Sequence, residues 1–215
     1  MIHESYYWKK EIYLCYKYLV KFRQLAKYTD LSSVKAEKAI MLGAYIIRKL
    51  FDAEKIPVDI IKKKVYLRKY TRKKDIVDHT NWHRVDENYD LENERGTKKD
   101  WQYIINQIIH SFTFIYTCDQ LDRIDGLLFN SDRSKQHELY RIELKDILKM
   151  FVLVSEGVIT EARHHRSVLK IKKGKEMFGP MKMVYAKYSY PKGFDINKII
   201  TESMDGKIYL RDKYN

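Results

Sequence analysis

The segment from Asp100 to Tyr116 constrains the fold most strongly, because it joins the pattern of a buried helix to that of a strand. At about 100° per residue, its large apolar side chains fall on one face of a helix. This face contains Trp101, Ile104, Ile105, Ile108, Ile109 and Phe112. Asp100 stands where an N-cap residue is expected. The following run FTFIYT favours a strand, so we predict a helix that ends near Ser111 and leads directly into a sheet.

A second, polar stripe on the same predicted helix contains Asn106 and His110. They are four residues apart, so their side chains can touch. A histidine positioned by a neighbouring amide can act as a general acid or base. His110 and Asn106 are therefore the candidate catalytic residues. The alternative is structural: His110 forms a hydrogen bond to another helix and holds the packing.

The chain before this segment is predicted to be helical. Apolar residues at spacings of three and four indicate amphipathic helices at residues 4–28 and 33–54. The short connection between them makes the two helices antiparallel neighbours. Gly43 and Ala44 would let a neighbouring helix approach the second of them closely.

The chain after Tyr116 is predicted to be rich in strands. Strand-like runs alternate there with turn residues, among them Gly179-Pro180 and Asp205-Gly206. The run KDILKMFVLV, residues 145–154, fits either a short helix or a buried strand. Asp195 is expected to cap one last short helix.

These patterns together predict an α+β fold. A helical domain, residues 1–116, contains a basic segment at residues 62–74. It forms an N-terminal helical bundle that is packed against, or followed by, a C-terminal antiparallel β-rich region at residues 117–215. A chain of 215 residues fits one large domain or two small ones.

The chain is strongly basic, with 42 Lys and Arg against 29 Asp and Glu and a formal net charge of +13. Such an excess attracts polyanions, nucleic acid first, so RNA or DNA is the predicted partner. Alternatively, the many Ile, Lys, Tyr and Asn residues reflect an AT-rich genome.

The densest charge cluster lies in the basic segment, residues 62–74, and is the predicted phosphate-contacting surface. The alternative is a basic strand edge that resists aggregation. Its cations are Lys62, Lys63, Lys64, Arg68, Lys69, Arg72, Lys73 and Lys74.

The sequence lacks the motifs of several classes of enzyme. There is no glycine-rich phosphate loop, GxGxxG or GxSxG, which argues against nucleotide triphosphatases and dinucleotide enzymes. His79 and His83 have the i, i+4 spacing of helical metal ligands but no third ligand at an accepted spacing. We therefore predict neither a metal site nor a cofactor.

The compartment is predicted from cysteines and hydropathy. Cys15 and Cys118 are too few and too far apart for a disulfide framework, which favours a reduced cytoplasm, and both are expected to be small core residues. No window approaches eighteen uninterrupted apolar residues and no signal-peptide pattern is present, so no membrane association is predicted. A protein partner or a homo-oligomer could form through an exposed sheet edge in residues 112–190.

Helices followed by Asn-x-x-x-His, here Asn106 to His110, resemble the HEPN superfamily over at most residues 1–116. The resemblance implies a small helical bundle and a metal-independent endoribonuclease of a toxin or antiviral system, with His110 in acid–base transfer. The family places an Arg directly before the polar residue, where this chain has Ile105. The stretch from Arg72 to His79 offers an alternative spacing. Loss of the Arg would imply a non-catalytic or altered domain, with Arg84 or Arg72 as a substitute from elsewhere in space.

Overall fold

The computed structural model describes residues 2–73, 76–172 and 175–210, with side chains in 168–177 left aside. The predicted α+β class is confirmed by the order of its elements. The helices are α1 Ser5–Arg23, α2 Asp30–Asp52, α3 Val58–Ile61, α4 Val85–Asn88, α5 Trp101–Ile109, α6 Leu144–Glu156 and α7 Ile196–Met204. The strands are β1 Lys64–Thr71, β2 Arg95–Asp100, β3 Ser111–Cys118, β4 Ile124–Ser131, β5 Glu138–Glu143, β6 Val158–Lys172 and β7 Lys175–Ser189.

Five strands form one antiparallel sheet in the order β2-β1-β5-β4-β3. β1 lies between β2 and β5, with Val65 opposite Lys99 and Lys69 opposite Tyr140. The boundary expected at residue 116 therefore falls inside β3. Strands from both sides of that boundary share the same sheet, because the chain returns from β3 and β4 to pair β5 with β1.

The segment around α5 folds as a helix followed directly by a strand, as predicted, but Phe112 lies in β3 and not on the helix face. The Asp100 side chain accepts a hydrogen bond from the Tyr103 backbone N–H at 2.9 Å, which caps the helix. The helix ends at Ile109 and β3 begins at Ser111. Its inward face is buried and consists of Trp101, Ile104, Ile105 and Ile108, while Ile109 is half-buried.

The main core lies between one face of the sheet and the long helices. α1 and α2 form the predicted antiparallel pair, although α1 ends at Arg23, earlier than expected. The ambiguous run at residues 145–154 is helical and lies within α6. Every residue of α6 from Met150 to Glu156 is buried, so the second half of this helix has no exposed side and reads as a continuous apolar run.

A smaller cluster covers the other face of the sheet. The connection between β1 and β2 crosses this face, and Val77 and Tyr89 are both 0% exposed. The Tyr89 hydroxyl donates to the Lys135 carbonyl oxygen at 2.7 Å, which ties the connection to the β4–β5 loop. The cluster consists of Tyr70, Val77, Tyr89, Leu128 and Leu139.

β6 and β7 form a separate two-stranded hairpin, which we call the ribbon. The prediction of a turn at Gly179-Pro180 is wrong, because both residues lie within β7. The pairing shifts by one residue between Arg166 opposite Met181 and Val168 opposite Phe178. This bulge accommodates the proline, which cannot donate a ladder hydrogen bond.

Three smaller expectations have different outcomes. Asp195 caps α7 as predicted, with its carboxylate accepting from the Asn197 and Lys198 backbone N–H groups. Gly206, at φ +89°, follows the C-terminal end of α7, so the turn expected at Asp205-Gly206 ends a helix and does not separate two strands. Cys15 is buried, but Cys118 is exposed at the end of edge strand β3, so it is not a core residue. Among the residues with described structure, none of the helices is long and apolar enough to cross a membrane.

Candidate functional site

An open cleft lies at the C-terminal end of α5, where the helix meets the sheet. Its volume is about 460 Å³. Residues from α2, from α5 and from the loop after β4 surround it, so three separate parts of the chain converge there. The lining residues are Arg48, Tyr103, Asn106, Gln107, His110, Ser131, Asp132 and Arg133.

The two candidate catalytic residues of α5 both line this cleft. His110 is the C-cap residue of the helix, and its backbone N–H donates to the Asn106 carbonyl oxygen at 3.1 Å. The His110 side chain is exposed and has no hydrogen-bond partner among the described residues. The packing alternative required such a bond to another helix, so within the described residues the structure offers it no support.

An arginine from another helix contacts Asn106. Arg48 of α2 donates through Nη1 to Asn106 Oδ1. Its Nε lies 3.0 and 3.1 Å from the two carboxylate oxygens of Asp52, one turn further along α2. Asp52 therefore holds the guanidinium in place, and the guanidinium orients the amide. The Nδ2 group of Asn106 then remains as a donor for a ligand in the cleft.

The loop after β4 is tied to α5 by hydrogen bonds. Gln107 Oε1 accepts from the Ser131 backbone N–H at 2.9 Å and from the Ser134 hydroxyl at 2.8 Å. The Asp132 backbone N–H points to the His110 carbonyl oxygen at 3.4 Å. These bonds place Arg133 beside His110 on a loop that is held at both ends.

The charges around the cleft are unevenly paired. Lys135 Nζ lies 2.7 Å from Asp132 Oδ1, and this hydrogen bond holds the pKa of the Asp132 carboxyl below its usual range. Arg48 is paired with Asp52. Arg133 is exposed and has no acidic partner in the described parts of the chain. The cleft therefore keeps one uncompensated guanidinium at its rim.

Tyr103 forms the inner wall of the cleft. Its hydroxyl donates to the Tyr140 hydroxyl at 3.0 Å, which in turn donates to Glu138. Burial raises the pKa of Tyr103, so its hydroxyl stays protonated at neutral pH. Lys99 Nζ lies 4.7 Å from the centroid of the Tyr103 ring, a favourable cation–π distance.

The basic segment lies on β1 and its flanks, and none of its described cations lines this cleft. Lys62 and Lys64 lie 3.6 and 3.4 Å from Asp100 Oδ2. Arg68 pairs with Glu94 at 3.2 Å, and Lys69 pairs with Glu138 at 3.2 Å. These cations already have acidic neighbours inside the fold.

The remaining cations of the segment differ in their surroundings. Arg72 Nε donates to the Gln136 carbonyl oxygen at 2.7 Å, and Lys73 Nζ donates to the Asp86 carbonyl oxygen at 2.8 Å. The Lys63 side chain is exposed and has no ion pair or hydrogen bond to another described residue. Lys74 lies outside the described residues. Internal pairing thus reduces the charge that this surface can offer to phosphates.

Arg48 and Arg133 are the functional candidates that sequence reasoning missed. Arg72 and Arg84 were expected as the substitute arginines, but Arg72 bonds to the Gln136 carbonyl oxygen and Arg84 lies 3.6 Å from Glu87. Neither lines the cleft. The one local signal, the i, i+4 pair of Arg48 with Asp52, is common on helix surfaces.

Within the described residues, no group of three or more His, Cys, Asp or Glu side chains could hold a metal ion. No family model matches this chain, and neither a curated protein nor a solved structure matches it. The resemblance to the HEPN superfamily therefore rests on Asn106 and His110 within this sequence.

Proposed function

We propose that this is a cytoplasmic, nucleic-acid-associated protein that holds a phosphate of RNA or DNA in the cleft at the end of α5. The observation that carries the proposal is Arg133, an exposed guanidinium without an acidic partner among the described residues, beside Arg48 and His110. Guanidinium groups bind phosphate oxygens in a bidentate manner. The net charge of +13 supports long-range attraction of a polyanion.

Replacement of Arg133 by Ala tests the proposal. If Arg133 contacts one phosphate, Arg133→Ala lowers affinity and reduces the slope of log affinity against log salt by about 1. Fluorescence anisotropy with labelled RNA and DNA oligonucleotides at several salt concentrations measures both quantities. The matched control is Arg84→Ala, an exposed arginine outside the cleft. Equal affinities and slopes for the two variants would contradict the proposal.

The basic segment remains a second predicted contact surface. Lys63, Lys64, Arg68 and Lys69 would be replaced together by Glu. Because most of these cations have acidic neighbours, we expect a smaller loss of salt slope than four phosphate contacts would produce. Unchanged retention of this variant on RNA and DNA would remove the segment from the binding surface.

A second candidate function is metal-independent cleavage of RNA in the same cleft. The observation that favours it is the contact between Arg48 and Asn106, one turn from His110. In this reaction His110 takes the proton of a ribose 2′-hydroxyl, whose oxygen attacks the adjacent phosphorus. The 5′-oxygen leaves and takes a proton from water, and a 2′,3′-cyclic phosphate remains. Arg48 and Arg133 would stabilise the charge on the phosphoryl oxygens.

Cleavage is tested with end-labelled RNA in the presence of EDTA. We expect fragments that end in a cyclic phosphate, their loss in His110→Ala, and no cleavage of DNA, which lacks the 2′-hydroxyl. His83→Ala is the control, because His83 is exposed and does not line the cleft. Intact RNA with the wild-type protein, or equal cleavage by His110→Ala, would eliminate this candidate and leave the binding proposal standing.

A further inference from the structure

The ribbon is long and is anchored over its inner half only, as far as the residues are described. Each strand has 15 residues, so the ribbon extends about 50 Å at roughly 3.3 Å per residue. At the base, Lys9 Nζ donates to the Gly157 carbonyl oxygen at 2.6 Å, and the Tyr188 hydroxyl donates to the Val154 carbonyl oxygen at 3.3 Å. These bonds join the ribbon to α1 and α6.

The last polar anchor is Glu54, beyond the end of α2. Its Oε1 accepts from the Met183 backbone N–H at 2.9 Å, and its Oε2 lies 3.3 Å from His164 Nε2. From there outward, the described residues of the ribbon form no hydrogen bond or ion pair with another element. A two-stranded ribbon is marginally stable by itself in water, so a partner along its outer part would supply contacts that the fold does not.

The ribbon is the most unevenly charged element of the chain. Between residues 158 and 189 the sequence has eight cations and two acids, Glu161 and Glu176, which leaves +6 of the total +13 in this region. The cations are Arg163, Arg166, Lys170, Lys172, Lys173, Lys175, Lys182 and Lys187. None of its described lysine and arginine side chains forms an ion pair with a described residue, in contrast to most of those in the basic segment.

The side of the ribbon that faces away from Glu54 presents three of the described cations together. Arg163 is opposite Tyr185, and His165 is opposite Lys182. Directly opposite residues share a face, and so do residues two apart on one strand where no bulge intervenes. The pairing shifts by one residue between Arg163 and His164, so the alternation holds along β6 but is interrupted on β7 between Tyr185 and Met183. His164 is on the other face, with its Nε2 3.3 Å from Glu54 Oε2, and Met183 is directly opposite it. The outward face therefore carries Arg163, His165 and Lys182, all exposed. Nearer the base, the exposed Lys187 shares this face and is directly opposite Glu161.

The Tyr185 ring holds the guanidinium of Arg163 on this face. Arg163 Cζ lies 4.6 Å from the centroid of the Tyr185 ring, and Tyr185 itself is 42% exposed. A stacked guanidinium keeps its N–H donors free at the edge of the plane. Flat donors that point outward suit phosphate oxygens, and a two-stranded ribbon fits the roughly 12 Å major groove of a double helix.

We propose that the ribbon is a nucleic-acid-binding arm that lies along a double helix, with the outward face of Arg163, Lys182 and Lys187 against its phosphates. The proposal rests on the proposed association with nucleic acid, but it uses a surface separate from the cleft. The arm supplies affinity without base-specific contacts, because phosphate contacts carry no sequence information.

Charge reversal tests the arm. In the arm variant Arg163, Lys182 and Lys187 are replaced by Glu, and in the control variant Lys10, Lys21 and Lys27 are replaced by Glu. All six side chains are exposed, and the two variants have the same net charge. The probe is a labelled duplex of about 20 base pairs, longer than the roughly 15 base pairs that a 50 Å arm spans at 3.4 Å each.

We expect the arm variant to lose duplex affinity about 100-fold or more near 0.1 M salt and its salt slope to fall by about 3, while the control variant loses clearly less. A second variant replaces residues 167–180 by Asn-Gly, which joins the paired residues Arg166 and Met181 by a two-residue turn. It should also bind the duplex more weakly. Circular dichroism confirms that each variant is folded.

The outcomes separate the arm from the cleft. Equal duplex affinities of the arm and control variants overturn the arm, whatever Arg133→Ala does, and so does a wild-type protein that binds no duplex. A loss confined to single strands, or to vesicles of anionic lipid, overturns it as well. A loss in the arm variant with unchanged binding by Arg133→Ala supports the arm and removes the cleft.

Discussion

The carboxylate of Asp119, directly after β3, accepts several hydrogen bonds. Its Oδ2 lies 2.9 Å from Nη2 of the buried Arg23, and its Oδ1 accepts from the Leu121 and Arg123 backbone N–H groups at 2.9 and 3.1 Å. Partial removal of the carboxyl group from water, taken alone, would raise its pKa because it disfavours the charged form. The backbone donors and Arg23 act in the opposite direction and hold the pKa at about 2.

We expect this group to make stability depend on pH in acid. An aspartate in an unfolded chain has a pKa of about 3.9, so the ionised Asp119 stabilises the fold above that pH. The contribution is lost as the pH falls towards about 2. Urea midpoints measured from pH 5 to pH 2 should fall less for Asp119→Asn than for the wild type. Asp86→Asn, at an exposed carboxylate without a described ion pair, is the control, and a wild-type profile in Asp119→Asn would contradict the expectation.

Local spacing revealed one part of the candidate site at this scale and could not reveal the other. Asn106 and His110 share a cleft because residues four apart on a helix always share a face. Arg48 is 58 residues away from Asn106 in the chain, and Arg133 follows a strand of the sheet. Only the packing of α2 and β4 around α5 brings them together, and no local pattern encodes that packing.

At the scale of elements, one-sided periodicity was a reliable guide. α1, α2 and α5 each bury one face and were predicted from that face. α6 is surrounded by other elements, so both a helix and a strand fitted its apolar run. The prediction of a turn at Gly179-Pro180 failed, because a bulge in an edge strand uses the same residue types as a turn.

The contact between α2 and α6 depends on one glycine, as the sequence indicated. A Cβ at Gly43 would lie 2.2 Å from Cζ of Phe151. We expect Gly43→Ala to lower the free energy of unfolding by about 1–3 kcal/mol through overpacking. Leu42→Ala, at a 45% exposed position of the same helix, is the control and should change it by about 0.5 kcal/mol or less.

A second substitution tests the cause of that loss. Phe151→Leu replaces the ring that the new methyl group would meet with a smaller side chain. In the double variant the two effects should therefore not add, and the urea-unfolding cycle should give a coupling of about 1 kcal/mol. Additive losses would show that the Gly43→Ala effect has another origin.

At the scale of the whole molecule, the two sheet edges differ in how they could meet another chain. β2 carries Arg95, Lys98 and Lys99, and such charges discourage edge pairing. β3 is the other edge and has Phe114 and Ile115 half-buried. Self-association or a protein partner through a sheet edge remains a prediction, and β3 is the edge that it would use.

Light scattering over a range of concentrations tests self-association. A dimer would have twice the monomer mass of 26.0 kDa. High salt should not dissociate a dimer that is held by backbone hydrogen bonds and apolar contacts. A mass of 26.0 kDa at the lowest and highest concentrations would contradict the self-associating version of this prediction.

The long-range contacts of α1 have a consequence for the growing polypeptide. Lys9 bonds to Gly157, Tyr16 to Ser203 and Tyr13 to Tyr209, across 148, 187 and 196 residues. The ribosome makes the first helix long before these partners exist. α2 covers one side of α1 soon after synthesis, but the side that packs on α6 and α7 stays uncovered until those helices have emerged. We therefore expect the nascent chain to expose this apolar surface for most of synthesis and to be prone to aggregation at that stage.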